Sequence, residues 1–138
     1  MMKIEKLTGT ESRLYELVAP LVMSPNVLRQ NNNYPFKTSR NHVWFIACDE
    51  RWVYGFVPVE LRTQQAIINN YYVRGDDTLL LSSLIKEVLK AFDRECKITS
   101  VTLSRHVSVF KENGFRSVRE WKQYVKMEKS NEDGKKRL

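Results

Sequence analysis

Apolar residues change their spacing several times along this chain, and each change marks an element. Ile4 and Leu7 stand among charged residues over 3–7, as in a short edge strand. Thr8-Gly9-Thr10-Glu11 has the form of a capping box, with Thr10 as a second candidate cap. Leu14, Leu17, Val18, Leu21 and Val22 then occur at offsets of three and four, which lays one apolar stripe along a helix. Pro20 falls inside it and predicts a kink or an early end, because proline removes an amide and crowds the preceding turn. Ser24-Pro25 opens a short second helix, Pro25–Gln30, that runs out in Asn31-Asn32-Asn33. Residues 34–41 read as a loop mixing aromatic and basic side chains.

From His42 the pattern becomes β-branched and aromatic. Strands are predicted over 43–47, 52–61 and 65–73, separated by turns at 49–51 and 62–64. Gly55 and Pro58 predict a bend or bulge in the second of these. Arg74-Gly75-Asp76-Asp77 ends the third, and Asp76, Asp77 or Thr78 can cap the next helix. Leu81, Leu84, Ile85, Val88, Leu89 and Phe92 make that helix the clearest in the chain. Residues 97–103 read as a strand that a helical crossover allows to run parallel to the third. Ser104 caps a short helix closing at Asn113-Gly114, and strands come after it at 115–118 and 121–127. The fold class is α/β (α+β): one domain over 1–129, with 130–138 a polar tail expected to fray.

Composition narrows the options. With 138 residues, 42% hydrophobic and 28% charged, the chain is neither disordered nor collagen-like nor a disulfide scaffold. Cys48 and Cys96 lack CxxC partners and only two histidines, His42 and His106, are present, so no metal site is expected. No apolar run reaches about 18 residues and the start lacks a signal-like stretch, so a cytoplasmic protein without membrane contact is expected. Net charge is +7, of which 126–138 holds five basic and three acidic residues. The rest is diffuse and suits any polyanion, including a phosphorylated cofactor. No recognised nucleic-acid motif appears, so nucleic acid is not the expected partner; a homodimer is compatible with the chain. Phosphate-loop, dinucleotide and Ser/His/Asp patterns are also missing.

Three stretches carry a family resemblance. Trp52-Val53-Tyr54-Gly55-Phe56 resembles the central-strand "vvGf" of the GCN5-related N-acetyltransferases, and Val109-Phe110-Lys111-Glu112-Asn113-Gly114-Phe115 resembles their "FYekxGF" signature. Residues 124–129 look like their last strand. The resemblance implies a central mixed, mostly antiparallel twisted sheet flanked by helices. It also implies an acyl-CoA cofactor, acetyl-CoA, whose acyl group passes to a small-molecule or peptide amine. The coenzyme's pyrophosphate would sit at the start of the helix after the third meander strand, where free amides and the helix dipole attract anions. On this chain that assigns Val73, Arg74, Gly75 and the amides of Thr78, Leu79 and Leu80. The stretch departs from the family's "R/Q-x-x-G-x-G/A": Gly75 is its one glycine, and Asp76 and Asp77 stand where phosphates would approach. A second departure is Phe110, which replaces the tyrosine that protonates the leaving thiolate. The alternative is the same fold kept as a non-catalytic binding or interaction module.

Candidate chemistry then falls on a few side chains. Glu60 is the candidate general base, with a solvated strand carboxylate as the plain alternative. Tyr72, or Tyr71 beside it, offers a hydroxyl in place of the missing acid; the plain alternative is core packing with a hydrogen-bonded tip. Asn69 and Asn70 are atypical strand residues, so one of them, assigned as Asn70, is expected to line a polar cleft. The resemblance also implies that the loop holding Tyr34 and Phe36 is a lid over the acceptor, with a plain surface loop as the alternative. His106, one turn into the short helix, is expected at the surface, with a place facing the cleft as the alternative, and Trp44, Trp52 and Trp121 in the core or on a sheet face.

Overall fold

The computed structural model describes residues 2–130, so most of the predicted tail lies outside the described residues. Its strands are β1 (Lys3–Thr8), β2 (His42–Cys48), β3 (Val53–Arg62), β4 (Gln65–Ile68), β5 (Tyr72–Val73), β6 (Lys97–Leu103), β7 (Phe115–Glu120) and β8 (Tyr124–Lys129). The helices are α1 (Ser12–Val22), α2 (Pro25–Gln30), α3 (Thr78–Phe92) and α4 (Val107–Glu112), with single 3₁₀ turns at Arg74–Asp76 and Ser104–His106. Eight strands form one sheet in the order β1-β2-β3-β4-β6-β8-β7, with β5 paired to β3 alone. All pairings are antiparallel except β4 with β6, the parallel pair that the α3 crossover permits.

Alternation along the strands sorts the core into two layers. Val43, Phe45, Val57, Val59 and Ile68 face α3 and α4, while Trp44, Ile46 and Phe56 face α1 and α2. On α3 the stripe Leu81, Leu84, Ile85 and Val88 is fully buried, each such side chain contributing about 1.5–3 kcal/mol. Gly55 lets β5 approach β3: a Cβ there would lie 2.7 Å from the Tyr72 carbonyl oxygen.

Several expectations change. Only half of the capping box forms: the Glu11 carboxylate accepts from the Thr8 amide at 2.6 Å, but Thr8 stays in β1 and Glu11 itself is the N-cap of α1. Pro20 sits within α1, which continues to Val22. Ser104 opens a 3₁₀ turn and provides no side-chain cap to α4. Trp44 is buried, but Trp52 and Trp121 are about half exposed, each beneath an arginine. His106 is buried, not superficial.

The change that matters most is in the third predicted strand, which is two strands. Val59 pairs with Ile68, and Phe56 with Tyr72, so Asn69, Asn70 and Tyr71 oppose only Val57 and Pro58. Asparagine is a poor strand former, and both asparagines turn their amides elsewhere: Asn69 to Glu60, Asn70 to the Tyr34 and Pro35 carbonyls. β6 accompanies β4 only as far as Ser100, while on its other side it pairs with β8 from Thr99 to Leu103. Beyond Ile68 the sheet therefore opens between β5 and β6.

Candidate functional site

The gap between β5 and β6 exposes strand backbone that needs partners, and side chains supply them. Gln30, the last residue of α2, donates its carboxamide NH to the Val73 carbonyl at 2.8 Å and accepts from the Val73 amide at 3.1 Å. Across the gap the Leu103 amide donates to the Tyr71 hydroxyl at 3.1 Å. That hydroxyl lies 2.8 Å from His106 Nδ1, and His106 Nε2 lies 2.9 Å from Asp76 Oδ1. Arg105 donates to both Asp76 oxygens and, through Nη2, to the Gln30 carbonyl at 2.9 Å. One polar network thus joins α2, the Arg74–Asp76 turn and the end of β6.

Burial sets the electrostatics. His106 is held below its ordinary value of 6.5, chiefly by burial and further by Arg105, while Asp76 pulls it up. Burial raises Asp76, but the Arg105 hydrogen bond and the charges of His106 and Arg105 outweigh it and leave the carboxyl low. The Tyr71 phenol is pushed well above 10, again mainly by burial, and stays protonated.

At the α3 terminus Gly75 and Asp76 both adopt left-handed backbone, φ 66° and 56°. The adjoining Asp77 caps the helix, its Oδ1 accepting from Leu79 at 3.0 Å and Leu80 at 3.1 Å. A carboxylate therefore already occupies two of the amides expected to meet phosphate. Thr78 is exposed, and Arg74 stacks on Trp52 with its guanidinium 5.2 Å from the ring centre.

The other assigned residues divide between two cavities on the α1/α2 side of the sheet. One, of about 390 Å³, is lined by Tyr34, Pro35, His42, Glu60, Asn69 and Asn70, among others. Glu60 there accepts from Asn69 at 3.2 Å and pairs with Arg62 at 3.0 Å. His42 stands directly opposite Glu60 across the β2–β3 pair. The other, of about 430 Å³, is lined by Leu17, Leu21, Trp52, Tyr72 and Arg74, among others. Tyr72 pairs with Phe56, four residues from Glu60 along β3, or roughly 13 Å at about 3.3 Å per residue. Glu60 and Tyr72 do not share a site. Phe36 packs edge-on against Phe56 at 5.0 Å in the core and lines neither cavity. Gln30 and Arg105 escaped sequence reading because nothing in their spacing links them to Val73 or Asp76. The atypical asparagines were the one local signal of the opening.

No protein-family model matches the chain, and no curated protein matches it in sequence. Solved structures do match in shape. ElaA from Escherichia coli superposes with a TM-score of 0.75 at 11% identity, over 94% of this chain and 100% of that one. An acyl-CoA N-acyltransferase from Pseudomonas aeruginosa gives 0.72 at 13%, over 94% and 100%. The PaiA N-acetyltransferase of Thermoplasma acidophilum, in complex with coenzyme A, gives 0.62 at 14%, over 94% and 99%. The chain has the fold of the GCN5-related N-acetyltransferases. Within that GNAT fold the two signature stretches fall where the resemblance implies: 52–56 leads into and along β3, and 109–115 runs from α4 through Gly114, at φ 91°, into β7. Among the described residues no helix is long and apolar enough to cross a membrane. Likewise no group of three or more His, Cys, Asp or Glu is placed to hold a metal ion.

Proposed function

We propose that the protein is an acyl-CoA-dependent N-acyltransferase that passes an acetyl group to an amine. The observation that carries this reading is the opening between β5 and β6, where both backbone polar groups of Val73 turn away from β3. An edge with one donor and one acceptor pairs with an amide, and the Gln30 carboxamide is the stand-in that fits it. At the α3 terminus the Asp77 carboxylate is a second stand-in, marking amides that accept an anion. The residues present therefore suit a ligand with amides at one end and phosphates at the other, which describes coenzyme A.

In this reading Val73 pairs the coenzyme's amides, and Arg74, Gly75 and the Thr78, Leu79 and Leu80 amides face its phosphates. Bound acyl-CoA supplies the thioester from which the acyl group is taken. The Glu60 cavity receives the acceptor, with Tyr34 and Asn70 at its wall and the Glu60 carboxylate taking the proton that the acceptor ammonium must shed before the free amine attacks the thioester. Phe110 has no proton to give, and the Tyr71 hydroxyl is committed to Leu103 and His106. Holding amine and thioester together is then the main contribution of this chain, an effect of proximity and orientation.

Thermal unfolding with acetyl-CoA at millimolar concentration tests the reading, because a ligand of the native state raises its melting temperature. A concentration-dependent rise, together with release of free thiol when an amine panel is added, is expected. No rise at saturation would overturn it and leave the non-catalytic module in its place.

A further inference from the structure

We infer that Gln30 is an intramolecular latch on the coenzyme cleft, closing the free edge of β5 until a ligand amide displaces it. The inference rests on the acyltransferase reading and goes beyond it, because it concerns what holds the cleft shut in the free protein. Three features of the network support a latch over incidental packing. Gln30 satisfies the donor and the acceptor of one residue, as a neighbouring strand would. Its own carbonyl is held by Arg105, whose guanidinium also clasps Asp76, so α2 is tied to both walls of the gap. Residues 31 and 124 extend the tie: the Tyr124 hydroxyl at the start of β8 lies 3.3 Å from both the Asn31 carbonyl and its side-chain oxygen.

The Gln30–Val73 and Tyr124–Asn31 bonds are partly buried, whereas the Arg105–Asp76 contact at the rim is open to water. Arg105 is 45% exposed and Asp76 41% exposed, so water can take over as the contacts part. Opening requires α2 to withdraw its last turn. That helix has only six residues, Pro25–Gln30, and Val27 is its one buried side chain, so little apolar packing opposes the withdrawal. A ligand that needs the open form binds more weakly by the fraction of molecules that are open. Removing the latch raises that fraction.

The test compares coenzyme A affinity by calorimetry for the natural protein, Gln30→Ala and Gln30→Asn, the last too short to reach Val73. The latch predicts binding about five- to tenfold tighter in both variants, the gain from removing two competing hydrogen bonds. It also predicts, with no coenzyme present, faster hydrogen exchange at the Val73 amide. Equal or weaker affinity in variants that retain the native melt would overturn the latch and leave the coenzyme reading standing. Binding by none of the three proteins would overturn both. Detectable binding by the variants alone would support both, and should Gln30→Ala fail to fold, Gln30→Asn carries the same comparison.

Discussion

The Tyr71 hydroxyl lies 2.8 Å from Nδ1 of His106, in the opening where β5 and β6 part. A neutral imidazole satisfies this geometry on both sides: Nδ1 accepts from Tyr71, and Nε2–H donates to Asp76. Tyr71 in turn accepts the Leu103 amide that a continuous sheet would have paired with a strand. The phenol repairs a break in the sheet. Tyr71→Phe keeps the ring but leaves the Leu103 N–H and His106 Nδ1 unpaired in a buried place. The expected loss is about 2–4 kcal/mol, read from the urea midpoint at unchanged slope. A loss below about 0.5 kcal/mol would remove Tyr71 from that role.

Stability should fall as pH drops below 6.5. His106 and His42 are both held below their ordinary 6.5, burial being the largest cause for each. Just below that pH the unfolded chain takes up protons that the native protein refuses, so lowering the pH favours unfolding. Asp76 and Asp49 are also depressed, Asp49 to about 2, but from an ordinary 3.8, so they contribute only in stronger acid. Urea midpoints between pH 7.5 and 5 should decline, and His106→Gln should flatten part of that slope. A pH-independent midpoint would show that neither histidine is shifted.

Elements were legible in the sequence to the degree that their signals were local. α3 could be read from Leu81, Leu84, Ile85 and Val88 because period and burial act within one element. The meander could be read because β2 and β3 are β-branched and aromatic runs bounded by short turns. The splitting of β4 from β5 could not, since it depends on where the Asn69 and Asn70 amides find partners, at Glu60 and at the Tyr34 and Pro35 carbonyls. The network around the opening was least legible of all: Gln30 and Val73 are 43 residues apart and meet only through the tertiary fold. Glu60 and Tyr72 were separate candidates in sequence, and register places them four residues apart along β3.

Gly55 is constrained by space. A Cβ would sit 2.7 Å from the Tyr72 carbonyl oxygen and 3.1 Å from Val73 Cγ1, both belonging to β5. Gly55→Ala must push β5 from β3, with an expected cost of about 1–3 kcal/mol. Exchange at the Val73 amide should quicken alongside the drop in melting temperature. An alanine variant as stable as the natural protein would mean that β5 yields freely.

Glu60→Gln separates binding from transfer. The carboxylate lies in the Tyr34–Asn70 cavity, four residues along β3 from the pairing of Phe56 with Tyr72 at β5. Coenzyme affinity should therefore stay unchanged while acetyl transfer falls about 10²-fold, a usual loss for a positioned base. Arg62 also loses its ion-pair partner, but that pair is exposed on the arginine side and contributes little to stability. Equal rates for the two proteins would return Glu60 to an ordinary strand carboxylate.

Asp77 has two roles that one pair of variants can divide. Its Oδ1 accepts from the Leu79 and Leu80 amides, so Asp77→Ala should lower stability by about 1 kcal/mol, as loss of an N-cap does. Asp77→Asn keeps an acceptor oxygen and should fold nearly as well. It also removes a negative charge from the place where the coenzyme's phosphates are proposed to approach. Affinity for coenzyme A should accordingly rise in Asp77→Asn, most clearly at low ionic strength, and the gain should fade as salt screens the charge. Were affinity to stay unchanged at low ionic strength in Asp77→Asn with the melting temperature preserved, phosphates would have to bind elsewhere on the chain and the α3 terminus would be only a capped helix end.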